Sequence, residues 1–421
     1  MRIAILSEHF TKTMGYIENK LPRAFARLGH DIHLVTSGLQ VNYRLPDYSS
    51  TYEKYHGPAI QPCGIEEWDG YTLHRLPHQM LGGYVRIVGL GRYLQRLRPN
   101  IVQVHATSSW LPLEAALAQP LSGYRLFTGT HQTASIFSPA VKQSRRWSLR
   151  RLASDIRRAV PGRIVSLFAE KCYAATVDCG DIAAKYYGVP GAQIEVCSLG
   201  VDTDIFFPAN ANVDTLASRE SKRRALGFGA GELVCVYSGR MNAEKNPLLL
   251  AQAVAQLRSR GEPFRALFVG HGTQAKEIGA CDGCVVHGFV PVADLPPFYR
   301  AADIGVWPAY ESMSMMDAAA CGIPIVVNDT VLATERFAGN GLTYRLGDMA
   351  SLVETLSRLR DPELRRRLGE SGATKMAAKF SWTAIAHRRI ADYEQSLTGR
   401  GGKTRRTEAV SATGRRAAAE R

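Results

Sequence analysis

The stretch ADIGVWPAYESMSMMDAAACGIPIVVN, residues 302–328, sets two carboxylates and two hydroxyls between apolar runs: Glu311, Ser312, Ser314 and Asp317. Carboxylates suit the hydroxyls of a sugar or ribose, and a serine at a helix start can cap it while its backbone N–H groups meet an anion. A second group, SGRMNAEKNP, carries Arg240 and Lys245, a planar fork and a point charge that together suit a pyrophosphate. Within it Gly239 lets backbone come close to a ligand, and Asn246 and Pro247 read as N-cap and first turn of a helix. A third, RLFTGTHQTASIF, places His131 directly after an apolar run. Each has an ordinary alternative: a capping pair for Ser314 and Asp317, two solvated cations, a satisfied structural histidine. The loop FVGHG, residues 268–272, lacks the full dinucleotide fingerprint and gives no reason to infer NAD.

Such groups act together only if a scaffold carries them to one edge. Residues 304–307 read as a buried strand, 308–313 as a polar elbow, then a short helix closed by Gly322 and a second strand over 323–327. This βαβ unit presents its elbow at the carboxyl edge of a parallel sheet, where open α/β sheets bind ligands. The pattern recurs along the chain. In the first half, strands are expected at 3–6, 32–36, 73–76, 101–104, 125–128, 175–178 and 194–196, with a loop containing Gly15 after the first and a long irregular loop over 40–71. A polar stretch, NANVDTLASRESKRR, separates these from a second set at 233–237, 264–269, 284–287, 304–307 and 323–327. The fold class is therefore α/β, two doubly wound Rossmann-like layers.

Composition narrows the rest. At 421 residues and 45% hydrophobic the chain is long enough for two cores. No apolar run reaches membrane-spanning length and the N-terminus lacks a secretory pattern, so a soluble cytoplasmic protein is expected. Eight scattered cysteines fit a reducing compartment, and the lone pair Cys281 and Cys284 has no partners to complete a zinc tetrahedron. The net charge of +14 is concentrated in Lys142–Arg163 and in the tail after residue 400. Without interleaved aromatics or a base-reading fold, nucleic acid is not the expected partner. Apolar residues at near-helical spacing among the arginines of 142–163 suit an anionic membrane surface, or else a helix packed on its own domain.

The succession GRMNAEKN, FVGHG, HGFVPVADLPPFYRAADIGVWP and DAAACGIPIVV resembles the nucleotide-sugar-dependent glycosyltransferases of family 4, which have the GT-B fold. MRIAILSEHF with Gly15, ARLGHDIHLVT, GTHQT, GVDTDIFFP and the closing FSWTAIAHRRIADYE agree in matching places, so the resemblance covers about residues 1–395. It implies an acceptor-binding first domain over 1–205 completed by a crossing helix over 381–397 and a donor-binding second domain over 206–380; after Thr398 nothing apolar remains to hold the chain in place, so a disordered basic tail is expected over 398–421. It further implies transfer of a sugar from a UDP- or GDP-linked donor to a glycan or lipid-linked acceptor with retention of configuration, in cell-surface polysaccharide or glycolipid synthesis. No cofactor or metal is called for.

On the same grounds Arg240 and Lys245 would hold the donor diphosphate, Asp317 stands where the family has a ribose-gripping glutamate, and Glu311 resembles the glutamate near the transferred sugar. His131 would face that sugar, Gly15 would cover the phosphates, and the backbone of Phe289 and Val290 would meet the base. One departure stands out. The family's two glutamates flank seven residues, whereas Glu311 and Asp317 flank five; either the elbow is shorter or Ser312 or Ser314 takes the first role. A nucleotide-sugar epimerase or phosphorylase of the same architecture, or a non-catalytic membrane-associated subunit, are the competing expectations. The place expected for the protein is the cytoplasm, peripheral at the inner membrane face.

Overall fold

The structure, a computed structural model, describes residues 1–133 and 149–399. Residues 142–148 of the basic segment and nearly all of the tail lie outside these, and of 149–163 the backbone is a helix, Leu149–Phe168.

Among the described residues, ten strands lie in the first half: β1 (Arg2–Leu6), β2 (Asp31–Thr36), β3 (Gly64–Trp68), β4 (Tyr71–Arg75), β5 (His78–Leu81), β6 (Tyr84–Ile87), β7 (Ile101–Val104), β8 (Arg125–Thr130), β9 (Ala169–Ala174) and β10 (Ile194–Val196). Eight form one sheet in the order β10-β9-β8-β7-β1-β2-β4-β3, parallel except for the β3–β4 hairpin, and β5–β6 form a separate hairpin. The second half has β11 (Leu233–Ser238), β12 (Phe264–Val269), β13 (Cys284–His287), β14 (Ile304–Trp307), β15 (Ile325–Asn328) and β16 (Gly341–Tyr344), a parallel sheet ordered β13-β12-β11-β14-β15-β16. Their continuous apolar runs follow from burial on both faces: every residue of β7, β14 and β15 is buried.

Three expectations need correction. The strand expected at 175–178 lies earlier, at 169–174, because Thr176 accepts a hydrogen bond from the Cys179 N–H and starts a helix at Val177 that includes Asp178. The last strand of the 302–328 unit begins at Ile325 rather than 323, Pro324 having no N–H for the ladder. Residues 40–71 are not irregular throughout: they hold a helical turn at Tyr48–Tyr52, a short helix at Glu53–His56 and strand β3. The hairpin β5–β6 and strand β16 were not expected at all.

The two halves are joined twice, side by side. Val201 N–H donates to the Phe380 carbonyl at 2.8 Å and Trp382 N–H to Val201 at 3.3 Å. The helix Trp382–Leu397 then crosses onto the first half, where Trp382, Ile385, Ala386, Ile390 and Tyr393 enter the same core as Ile3, Phe25 and Phe127. Tyr393 donates to the buried Gln103 at 2.8 Å, and Lys171 bonds Asp392 at 2.6 Å. Lys20 holds Asp202, at the first crossing, at 2.7 Å. With its apolar face so covered, this helix fixes the first half against the second.

Candidate active site between the two sheets

Both parallel sheets present the loops after their strands to the space between the halves. On the second half, the loops after β11 and β12 run as a bonded pair: Gly239 N–H donates to Val269, Met241 N–H to His271, and Gln274 N–H back to Met241, at 2.8–3.0 Å. The glycines of FVGHG allow this approach. A Cβ on Gly270 would meet the Gly239 carbonyl at 2.1 Å, and one on Gly272 the Met241 carbonyl at 2.2 Å. These glycines thus bring one loop against another and need no dinucleotide to explain them.

The paired loops hold Arg240 and Lys245. Tyr237 donates its hydroxyl to the Arg240 carbonyl at 2.7 Å, and Asn242 accepts from the Lys245 N–H at 3.0 Å, so the backbone carrying both cations is fixed. Asn246 is the N-cap of helix Pro247–Ser259, as expected, but in left-handed backbone and without a side-chain cap. Burial holds the Lys245 ammonium below the usual lysine range. Among the described residues neither cation has a carboxylate within ion-pair distance; Arg240 donates only to the Tyr52 hydroxyl of the first half, at 3.2 Å. Two half-buried, unpaired cations on a rigid loop are costly unless an anion visits.

The elbow differs from expectation. Helix Ser314–Ala320 has Met313 at its N-cap and no side-chain cap. Its first N–H groups are not free: Ser314 N–H donates to the Ser312 hydroxyl at 3.4 Å, Met315 to the Ser312 carbonyl and Met316 to the Met313 carbonyl. The Ser314 hydroxyl accepts from the Trp307 indole at 3.0 Å and meets Ser312 at 2.8 Å, tying the elbow to its own strand. Glu311 is half-buried, its carboxyl raised by burial, with Arg336 offsetting this and Asp178 of the first half adding to it. Asp317 is pushed up to about 8 by burial and then by Asp202, against which Lys20 acts. Asp317 therefore holds a proton near neutrality and can donate a hydrogen bond as well as accept one.

Facing these from the first half, the Gly15 loop comes so close that a Cβ would lie 2.9 Å from Val292. The next turn brings Glu18, on helix Ile17–Arg27, within 3.8 Å of His105 Nδ1, and the His131 ring lies 5.9 Å from that of His105. Burial and His105 push His131 down to about 4, so its imidazole is neutral. Burial would raise the Glu18 carboxyl, but the neighbouring His105 more than offsets it and holds the carboxyl below its usual range. Neither ring nitrogen of His105 has a hydrogen-bond partner. Glu18 and His105 line a cavity of about 650 Å³, together with Glu8, His9, Tyr16, Arg44, Ser109 and Gln132 among others, wholly within the first half, and His131 immediately precedes its lining residue Gln132. Sequence reasoning found His131 but neither Glu18 nor His105. Glu18 is hidden in an amphipathic helix, and His105 follows a strand as His131 does, a signal that could have marked it.

Phe289 and Val290 lie on the loop after β13, at the same edge as Arg240. Among the described residues no group of three or more metal-ligating side chains occurs, and no helix is long and apolar enough to cross a membrane.

The family model described as Glycosyltransferase Family 4 matches residues 20–205, and that of Glycosyl transferases group 1 matches residues 232–361. The chain belongs to glycosyltransferase family 4. Among glycosyltransferases it is similar to a D-inositol 3-phosphate glycosyltransferase of Segniliparus rotundus, 28% identical over 51% of this chain and 50% of the relative. Another relative of that name, from Salinispora arenicola, is 32% identical over 55% and 56%. The putative glycosyltransferase EpsD of Bacillus subtilis is 28% identical over 50% and 59%. The chain thus spans about half the length of the curated relatives it matches. Its GT-B fold is shared with the Anabaena protein HepE, solved with UDP, at a TM-score of 0.65 and 17% identity over 94% of this chain and 100% of that one. Sucrose-phosphate synthase of Thermosynechococcus elongatus has the same fold, at 0.64 and 18% over 94% and 99%.

Proposed function

We propose that this glycosyltransferase moves a sugar from a nucleotide-sugar donor to a glycan or lipid-linked acceptor, with retention of configuration, in the synthesis of a cell-surface polysaccharide or glycolipid. The observation that carries the reading is the pair of unpaired, half-buried cations, Arg240 and Lys245, on the glycine-interlocked loop. Breaking the bond from anomeric carbon to phosphate oxygen puts negative charge on the diphosphate, and cations already in place stabilise it without reorganising. They serve where a metal would otherwise be required. The donor class has support from the fold neighbour HepE, solved with UDP-glucose.

In this reading the acceptor enters the first-half cavity and its hydroxyl meets the donor beside Glu18, His105 and His131. Neutral His131 contacts the transferred sugar as a hydrogen-bonding group, and ionised Glu18 orients the acceptor hydroxyl. Glu311 and the protonated Asp317 serve the sugar and ribose. The backbone of Phe289 and Val290 meets the base, and the Gly15 loop closes over the phosphates. No side chain is assigned as a covalent nucleophile.

A thermal-shift screen of UDP, GDP, ADP and their sugars tests the reading, since a ligand that binds only the folded form raises its stability. A rise with one base, lost in Arg240→Ala and Lys245→Ala, is expected; no rise with any would contradict it. Peripheral docking on an anionic membrane is part of the proposal. Ile156, Val160 and Leu167, recurring at helical spacing beside Arg163, are exposed on helix Leu149–Phe168. Salt-sensitive sedimentation with anionic vesicles is expected, and undiminished sedimentation of Ile156→Ser/Val160→Ser would remove this part.

A further inference from the structure

The segment 47–56 belongs to the first half and reaches into the second. Its footing is local: Gln40 donates to the His56 carbonyl at 2.8 Å, and the Tyr48 hydroxyl to the Gly57 carbonyl at 3.0 Å. From there Tyr52, almost wholly buried, accepts from Arg240 Nη2 at 3.2 Å and lies 3.5 Å from His271 Nε2. Asp47 is 3.4 Å from the same His271 nitrogen. Tyr55 donates its hydroxyl to the Phe289 carbonyl at 3.4 Å. The rings close around Phe289, with centroids at 5.4 Å for Tyr52, 5.3 Å for Tyr55 and 6.0 Å for His56.

These partners are the groups that the donor reading, on which this inference rests, reserves for the nucleotide. Arg240 is the diphosphate fork and the Phe289 backbone meets the base. A phenol hydroxyl on the guanidinium and another on the carbonyl imitate the two ends of a nucleoside diphosphate, and the aromatic rings fill the space between.

We propose that residues 47–56 are an internal occupant of the donor site: Tyr52 and Tyr55 hold Arg240 and the Phe289 carbonyl while no nucleotide is bound, and a nucleoside diphosphate binds by displacing them. Apparent affinity is then the intrinsic value multiplied by the fraction of molecules in which the strap is released, and loosening it restores the intrinsic value. The strap also pins the two halves together, so its release and the opening of the cleft are one event.

The test uses the full chain, with the nucleoside diphosphate that stabilises it most in the screen of UDP, GDP and ADP. Tyr52→Phe/Tyr55→Phe keeps the rings and removes both hydroxyls, so the fold is retained. This variant should bind that nucleotide about tenfold more tightly, the effect of losing two modest hydrogen bonds in the competing state. In the unaltered protein, backbone amides of 48–56 should exchange faster with deuterium once nucleotide is added. Equal or weaker binding by the double variant, or slower exchange on nucleotide addition, would overturn the proposal by making the strap part of the bound site. Nucleotide binding by no form of the protein, with faster exchange of 48–56 in the variant alone, would overturn the donor assignment and this proposal together, a pattern distinct from either result above.

Discussion

Removing the Lys245 ammonium should separate a group kept for its ligand from one kept for the fold. The ammonium is half-buried, depressed by burial and without a carboxylate partner among the described residues. Opposite a phosphate oxygen at about 4 Å, with an effective dielectric constant of about 20, one charge pair is worth roughly 4 kcal/mol. Much of the desolvation has already been met in the free protein, so most of this should survive as ligand affinity or transition-state stabilisation. Lys245→Ala is therefore expected to weaken binding of the nucleoside diphosphate by about 10² and to lower turnover by about 10² to 10³-fold. Stability should move the other way, since alanine removes an unpaired cation: the melting temperature should hold or rise. Calorimetric titration, a transfer assay with the donor found by screening, and a melting curve read the three quantities. A loss of affinity and turnover below tenfold, or a fall in melting temperature matching the loss of activity, would refute the reasoning.

Further outcomes follow from the same geometry. Glu18→Gln should leave nucleotide affinity within about twofold while lowering transfer at least tenfold, because Glu18 borders the first-half cavity rather than the Arg240 loop; equal transfer would remove it from the acceptor side. Gly272→Ala places a Cβ 2.2 Å from the Met241 carbonyl and should cost about 2–3 kcal/mol in urea unfolding, a neutral result contradicting the loop pairing. Asp317, raised to about 8, keeps in the folded state a proton that the unfolded chain gives up near pH 4. Its contribution is complete below that pH and is lost as pH rises through 8, so Asp317→Asn should flatten the decline in melting temperature between about pH 5 and 8.5. Parallel curves for the two proteins would show that Asp317 ionises normally.

Much of the scaffold was legible because parallel strands buried on both faces read as short apolar runs, and IGVW or LVCVYS admit few other meanings. The placement of Arg240 and Lys245 in the fold was legible for a related reason: they follow such a strand within a glycine and helix-start pattern. What escaped the sequence depends on long-range pairing. β3 and β5 are largely exposed and carry no alternation, so their hairpins depend on partners several residues away. The free N–H groups expected at Ser314 are spent within the elbow, which residue types alone do not reveal. The aromatic strap pairs residue 52 with residue 240, a separation of 188 positions that no local pattern encodes. Glu18 and His105 meet only because β1 and β7 are neighbours in the sheet, a fact of topology rather than of spacing.

The central claim is that the loop of Arg240 and Lys245 receives the diphosphate of a sugar donor. A crystal structure with the preferred nucleoside diphosphate bound tests it most directly. The account predicts the diphosphate between the Arg240 guanidinium and the Lys245 ammonium, the base against the Phe289 backbone and Tyr52 withdrawn. A nucleotide seated elsewhere, with Arg240 still held by Tyr52, would contradict it.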